Sequence, residues 1–323
     1  MRYCKLLLMC GMVLALSSPV WALSTTIPFQ TAYVGPVSWH FSDWDEGRVY
    51  TGLLADNQTP VTVGQVYAPG DLQSIAPKGP AGVGDAWGIM RVETIYNATL
   101  TGPNSMTIGS TLLYGYGDSG TELAGIFYGR QDDQIIFNAD GSQTIYSDPL
   151  GYFGDRVDLY IQPVGTAANW DTGMAGPGAS GAVGVYPGIG DDPDSTLVLT
   201  GYITPGFLNG GLDGVFSNFT PAGNTGEGTY GLYLTWDGGT DLNRFGSPAW
   251  PGIFPFFGGP GAPFDADARL KGTISPTIYP LADPWLVNTS DPAFMYVAVP
   301  EPVTMAGMLL GIGCLGSYLR KRR

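Results

Sequence analysis

The sequence predicts an all-β fold: a β-sandwich-like body of many short antiparallel strands, followed by a single C-terminal transmembrane helix. The 323 residues include 49 glycines and 26 prolines, a content typical of frequent tight turns. Aromatic residues make up 12% of the chain, far more than disordered chains carry. Residues 86–96 alternate like a strand, with Met90 and Val92 on one face and Arg91 and Glu93 on the other.

Further strands follow from the same reasoning, because segments rich in apolar, β-branched and aromatic residues lie between turn signals. These segments are residues 106–116, 122–128, 134–137, 144–146, 157–163, 197–203, 228–236 and 270–274. Asp140-Gly141 is the strongest hairpin signal, since this dipeptide suits a tight turn between two strands. Hardly any window has a helical period, and residues 48–56 give the weakest pattern.

Two stretches do not read as strands. Residues 173–194 are rich in Gly, Pro and Ala and then acidic, so we expect a loop or linker there. Residues 247–264 combine prolines with aromatic rings, and prolines at that density exclude a central strand. The rings could be displayed as a sugar-stacking platform or could cover the open end of the sandwich.

The N-terminus has the pattern of a secretory signal peptide over residues 1–22. Arg2 and Lys5 supply the positive charge, residues 6–16 are apolar, and small residues near Ala22 suit a signal peptidase. We therefore expect export through the Sec translocon and cleavage after Ala22. An uncleaved anchor is disfavoured because the apolar stretch is short for a membrane span.

The C-terminus has the pattern of a membrane anchor. Residues 303–319 contain no charge and would span roughly 25 Å as a helix, the lower limit for a bilayer. The basic residues that follow keep this end in the cytoplasm and the body on the other side of the membrane. They are Arg320, Lys321, Arg322 and Arg323. The alternative is a buried core helix with a basic end, which seldom carries uncompensated cations.

Pro300, Glu301 and Pro302 precede this apolar span, and the order of motif, span and basic cluster over residues 300–323 resembles the PEP-CTERM sorting signal. The resemblance implies recognition by exosortase, a membrane-embedded transpeptidase-like enzyme, and processing near the motif in a Gram-negative-type envelope. It also implies transient anchoring, then a cell-surface or extracellular location, with an association with exopolysaccharide or biofilm. Residues 23–275 would then be the β-rich exported domain and residues 276–299 a stalk.

Charge and cysteine usage exclude several classes of function. Between the two terminal segments the chain keeps eight basic and 27 acidic residues, a net charge of −19. Such a surface repels nucleic acid and suits divalent cations or neutral glycans. The three cysteines, Cys4, Cys10 and Cys314, all lie in the terminal segments. The exported domain therefore contains no disulfide and no catalytic thiolate.

Catalytic chemistry is restricted by the single histidine, His40, which lies between two aromatic residues and is more typical of a structural role. A zinc site of several His or Cys ligands is excluded. Paired-carboxylate chemistry of the glycosidase type stays open, because acidic side chains could meet in space. The candidates are Asp43, Asp45, Glu46, Glu93 and Glu122.

Calcium is the metal that the sequence suits best, because two turns concentrate hard oxygen ligands. One contains Asp191, Asp192 and Asp194, and the other contains Asp237 and Asp241. Neither matches an EF-hand, and aspartates in turns commonly bond their own backbone instead.

Two functional hypotheses follow. The first is a non-catalytic surface or matrix protein that associates with glycan, and the second is a secreted glycan-active hydrolase with two carboxylates. A cleft with two carboxyl groups about 5–10 Å apart would favour the hydrolase.

Overall fold

Fifteen β-strands and one short helix form the part of the chain described by the structure, a computed structural model. The described residues are 27–46, 49–56, 58–75, 86–102, 105–149, 155–166, 188–191, 193–203, 215–222, 225–245, 267–274, 286–289 and 293–297. The all-β prediction is therefore confirmed for these residues.

The strands in chain order are β1 Gly35–Glu46, β2 Val49–Leu54, β3 Val66–Tyr67, β4 Leu72–Ile75, β5 Ala86–Gly102, β6 Ser105–Gly115, β7 Thr121–Phe137, β8 Gln143–Pro149, β9 Arg156–Pro163, β10 Thr196–Ile203, β11 Val215–Ala222, β12 Thr225–Gly238, β13 Ala268–Ile274, β14 Leu286–Thr289 and β15 Ala293–Val297. The helix α1 is Leu242–Phe245, and single 3₁₀ turns occupy Pro69–Asp71 and Asp118–Gly120.

Thirteen of these strands belong to one antiparallel sheet whose pairings close on themselves. From β1 the pairing runs through β5, β7, β9, β10, β12 and β13. Both β14 and β15 then pair with β13 on one side and with β1 on the other. Each strand of the circuit therefore has a paired neighbour on both sides over part of its length, which reduces the free strand edge that could template aggregation.

Two long strands, β7 and β12, belong both to this circuit and to a second closed circuit. The second circuit contains β7, β8, β11, β12, β10 and β9. The first half of β7 pairs with β9 and its second half with β8. In the same way β12 pairs with β11 along its first half and with β10 near its end. Because β8 also pairs with β11, two strand pairs connect β7 to β12.

The main core consists of side chains that point inside the circuit. Strand alternation produces it: Val157, Leu159 and Ile161 on β9 are buried, while the residues between them face outward. Trp39 and Leu123, from β1 and β7, are among the fully buried members. Each such side chain stabilises the fold by about 1.5–3 kcal/mol through removal from water.

A smaller apolar cluster lies under the two-stranded sheet formed by β2 and β4. Tyr50 of β2 packs there with Ile135 and Phe137 of β7 and Ile145 of β8. The Tyr50 hydroxyl donates a 2.6 Å hydrogen bond to Oδ2 of Asp132, and Ser147 donates to Oδ1 at 2.9 Å. The buried Asp132 therefore ties the small sheet to the large one.

The N-terminal residues of the described chain cross the end of the main core next to α1. Ile27 is fully buried, its N–H donates to Oδ2 of Asp241 at 3.2 Å, and its carbonyl accepts from Arg244 at 3.1 Å. The guanidinium of Arg244 stacks on the ring of Phe29. These contacts fix the first described residues, which begin five positions after the predicted cleavage at Ala22.

Several sequence predictions differ from the structure in detail. Residues 122–128 and 134–137 belong to one 17-residue strand, β7, because its partner changes without a break in the strand. The Asp140-Gly141 hairpin is confirmed, with Gly141 at φ 86°. Residues 49–54 form β2.

Within the predicted stalk, residues 286–289 and 293–297 are strands of the sheet, so the sheet extends beyond residue 275. Their aromatic and β-branched residues suit strand pairing better than an extended tether. The described residues include no helix of the length and apolarity that a membrane crossing requires. The signal peptide, the sorting motif, the span at 303–319 and the basic cluster lie outside the described residues, as does most of the loop at 173–194.

Candidate ligand-binding face

Polar and aromatic side chains form a continuous row on the outward side of β7, β9, β10 and β12. We call this row the tyrosine face; its members are Tyr128, Arg156, Asp158, Tyr160, Thr200 and Asp237. Strand register places them together, since Tyr128 lies opposite Arg156 and Asp158 lies opposite Thr200. All but Asp237 are half-buried, and Asp237 is exposed.

Asp158 is the centre of a hydrogen-bond chain across this face. Its Oδ2 accepts from the hydroxyl of Tyr128 at 3.4 Å, and its Oδ1 accepts from the hydroxyl of Thr200. The oxygen of Thr200 in turn accepts a 2.6 Å bond from Nη2 of Arg156. The donors and acceptors of three strands are thus held in a fixed arrangement.

Arg156 continues the chain to a fourth strand through a bidentate ion pair with Asp237. Its Nη1 and Nη2 donate at 2.8 and 2.9 Å to the two carboxylate oxygens. This pairing raises the pKa of Arg156 above its ordinary value. Because the Asp237 side chain is 42% exposed, the pair adds only about 0.2–1 kcal/mol to stability. Its main effect is to orient the guanidinium.

The two tyrosines of the face keep their hydroxyl protons at neutral pH. Burial, followed by the negative charge of Asp158, raises the pKa of Tyr128 to about 12. The same two causes raise the pKa of Tyr160. Both hydroxyls therefore remain donors beside half-buried rings, the combination by which tyrosine binds amphipathic ligands.

Tyr160 is positioned by the loop at residues 188–191, which crosses its ring. A Cβ at Gly190 would lie 2.6 Å from the Tyr160 ring, and Gly190 has φ +74°, so only glycine fits there. The buried Gln162 holds this loop, donating to the carbonyl of Gly188 at 2.7 Å and accepting from the Gly190 N–H at 3.2 Å.

Gln162 is held in its turn by Glu122, which is completely buried. Oε1 of Glu122 accepts from Nε2 of Gln162 at 2.8 Å, and Oε2 accepts from the N–H of Gly165 at 3.1 Å. The hydroxyl of Tyr116 also donates to Oε2, at 3.4 Å. A carboxylate with three protein donors and no exposure supports neighbouring loops and offers substrate no access.

Comparison with family models, curated proteins and solved structures gives no match to this chain.

The other predicted carboxylates are distributed over different partners. Glu93 pairs with Arg91 at 2.6 Å, and the guanidinium of Arg91 lies 4.6 Å from the centre of the Tyr116 ring. Asp43, Asp45 and Glu46 lie on β1, but their side chains are outside the described part of the structure. The contacts of Glu93 and Glu122 therefore indicate that both side chains stabilise the fold.

The residues predicted to bind calcium are mostly engaged with protein donors. Asp191 accepts from the N–H of Gly188 at 2.9 Å, Asp237 is paired with Arg156, and the buried Asp241 accepts from Ile27. Asp194 is exposed and Asp192 lies outside the described residues. Among the residues that the structure describes, no three His, Cys, Asp or Glu side chains group closely enough to hold a metal ion. Calcium binding stays a prediction.

Sequence reasoning missed most of the tyrosine face, although it found the strands that carry it. Only Asp237 was a candidate, as a calcium ligand. The signal was present in β9, where Arg156, Asp158 and Tyr160 alternate with buried Val157 and Leu159. The partners on β7, β10 and β12 are recognisable only once the register of the sheet is known.

Proposed function

We propose that the chain is an exported, β-sandwich-like surface or matrix protein that is sorted through its PEP-CTERM-like tail and binds a neutral glycan without turnover. The two terminal segments support the location. The tyrosine face is the observation that carries the binding function, because it combines aromatic rings with preoriented charged and hydroxyl groups on one sheet surface.

The chemistry of this face suits a sugar chain. Sugar rings present an apolar side that stacks on aromatic rings and hydroxyls that bond to carboxylates and guanidinium groups. Preorganisation by Asp158 and Arg156 lowers the entropy lost on binding. The face carries two carboxylates, Asp158 and Asp237, and one arginine, and the chain between the terminal segments has a net charge of −19. Neutral glycans are therefore favoured over anionic ones.

The hydrolase alternative draws no support from Glu93 and Glu122, the two predicted carboxylates whose side chains the structure describes. Glu122 is saturated and inaccessible, and Glu93 is neutralised by Arg91. A glycosidase needs one carboxylic acid and one carboxylate flanking the scissile bond. Binding at the tyrosine face is therefore the function that the described geometry supports best.

The test of glycan binding uses the mature protein recovered from cells, with neutral polysaccharides such as xylan, amylose and mixed-linkage glucan in affinity gels. We expect retardation by at least one of them, lost in Tyr128→Ala and Tyr160→Ala and kept in Tyr96→Ala. Tyr96 is a matched control because it is a half-buried tyrosine that packs against His40. Release of reducing sugar ends from the retarding polysaccharide would favour the hydrolase.

The test of sorting is separate. Replacing Pro300, Glu301 and Pro302 with alanine is expected to leave the protein unprocessed in the inner membrane, with a higher intact mass. Cell fractionation and mass spectrometry measure both. An unchanged mass and location would remove the sorting proposal and leave the binding face untouched.

A further inference from the structure

A further tyrosine, Tyr202 of β10, lies in line with the tyrosine face. It is opposite Arg156 of β9, which is itself opposite Tyr128 of β7. On its other side Tyr202 lies opposite Thr235 of β12. Side chains of directly opposite residues stand on the same face of a sheet, so these four form one line across four strands. We call this line the cross-strand row.

Strand alternation agrees with an outward orientation of the row. Ile203, the residue after Tyr202, is a member of the main core, and so are Leu234 and Trp236 on either side of Thr235. Because successive side chains of a strand point to opposite faces, Tyr202 and Thr235 point away from that core. All four members of the row are half-buried. The row therefore lies at the surface of the sheet.

The surroundings of the row leave room for a ligand in one direction. The loop at residues 188–191 crosses the ring of Tyr160 and borders the face along β9. On the β5 side, the outward-facing Ile126 of β7 and its partner Ile89 of β5 are fully buried. At the opposite end Asp237 of β12 is exposed. A ligand on this face therefore extends across the strands, from β7 toward β12.

The spacing of the row matches an extended sugar chain. Neighbouring strands lie about 4.8 Å apart, so the row covers about 14 Å over its four strands. A pyranose ring in an extended chain is about as long as one strand spacing, so successive rings can lie on successive members. Equatorial bonds at both ends of each ring, as in a β-1,4-linked chain, keep the chain straight. The axial bond of an α-1,4 linkage coils the chain away from a flat surface.

We propose that the glycan bound by this protein is an extended, neutral chain of β-1,4-linked pyranose residues that lies across the strands, with successive rings on Tyr128, Arg156 and Tyr202. The proposal rests on the proposed function and adds Tyr202 to its binding residues. The two tyrosine rings supply apolar surface on either side of the arginine, to which the apolar sides of sugar rings bind.

Arg156 is suited to the ring between the two tyrosines. Three of the five N–H donors of its guanidinium are used by Thr200 and Asp237, so within the described part of the chain two remain for sugar hydroxyls. Its ion pair with Asp237 holds these donors in place and balances the only charge in the row. A neutral chain therefore suits the row better than an anionic one.

The experiment is isothermal titration of the mature protein with cellohexaose, xylohexaose and maltohexaose. The first and third contain the same sugar and differ only in linkage. We expect at least one of the two β-linked chains to bind about tenfold or more tightly than maltohexaose, with affinity rising as its chain is lengthened to about four rings. Maltohexaose binding as tightly as both, or no binding of either β-linked chain, overturns this inference. Retardation by amylose in the affinity gels would then still support the proposed function, whereas retardation by no polysaccharide overturns both.

The contribution of Tyr202 has its own test. Tyr202→Ala should weaken binding of the preferred hexasaccharide by about tenfold, and Tyr202→Phe, which keeps the ring, should stay within about twofold of the unmodified protein. Tyr96→Ala is again the control. Unchanged affinity in Tyr202→Ala together with a loss in Tyr128→Ala would confine the site to β7 and β9 and refute the row. Near-identical melting temperatures verify that the variants are folded.

Discussion

The guanidinium carbon of Arg244 lies 3.8 Å from the centre of the Phe29 ring, although the two residues are far apart in the sequence. The same arginine donates to the Ile27 carbonyl, and its Nη1 lies 3.8 Å from Oδ2 of Asp241. Burial lowers the pKa of Arg244 to about 10, which leaves it charged at neutral pH. It joins the N-terminal segment to α1.

Arg244→Met is therefore expected to destabilise the fold by about 3 kcal/mol. The change keeps the stem but removes the charge beside the buried Asp241, and breaking a buried pair costs about 3–5 kcal/mol. Urea unfolding measures the effect. Arg91→Met is the control: its partner Glu93 is 32% exposed, so we expect a loss below about 1 kcal/mol. Equal losses in both variants would contradict the role given to Arg244.

Gln162→Leu is expected to cost about 2–4 kcal/mol, because it removes bonds to Glu122, Gly188 and Gly190 inside the protein. It should also weaken glycan binding at least tenfold, since the loop over Tyr160 loses its support. Gln131→Leu, at an exposed position of β7, should change neither quantity. Urea unfolding and affinity gels provide the two measurements, and an unaffected glycan affinity in Gln162→Leu would separate this loop from the binding face.

Leu123→Ala is expected to lower the free energy of unfolding by about 2–5 kcal/mol, the usual cost of a cavity in a packed core. Val34→Ala removes apolar carbons at a site that is 49% exposed, and its cost should stay below about 0.5 kcal/mol. Thermal and urea unfolding compare them. Similar small losses would mean that the inside of the strand circuit is loosely packed.

Stability should fall between about pH 10 and pH 12. Burial raises the pKa of Tyr114 to about 12 and that of Tyr128 to about 12, against 10 for the ordinary side chain. Above pH 10 the unfolded chain releases these protons while the folded chain retains them, so the contribution present below pH 10 is lost as pH rises. Tyr114→Phe should flatten the decline in the free energy of urea unfolding between about pH 10 and pH 12. An identical slope in the variant would show that Tyr114 is not its source.

The sequence predicts where most strands lie but not which strands pair with each other. The alternation at residues 86–96 and the turn at Asp140-Gly141 are local signals, and both features are found in the structure. The pairing of β1 with β14 and β15 joins residues about 250 positions apart, and no local pattern encodes it. The same applies to Arg244, which looks like an ordinary surface cation until Phe29 and Asp241 are placed around it.

The tyrosine face shows why polar sites are harder to predict than cores. Burial leaves a periodic signature in one strand, whereas Tyr128, Asp158 and Asp237 become neighbours only through the registers of β7, β9, β10 and β12. Glu122 illustrates the reverse error. An acidic residue in a strand reads as a candidate for chemistry, and only its complete burial and three donors identify it as a support.

The last described strand, β15, ends at Val297, three residues before Pro300. An extended chain covers at most about 3.6 Å per residue, so the completed sheet lies within roughly 11 Å of the motif. During synthesis β1 can pair with β14 and β15 only after almost the entire polypeptide has emerged. An enzyme that cuts at the motif would consequently act next to a folded domain, and very few residues would separate its cleavage site from the last strand.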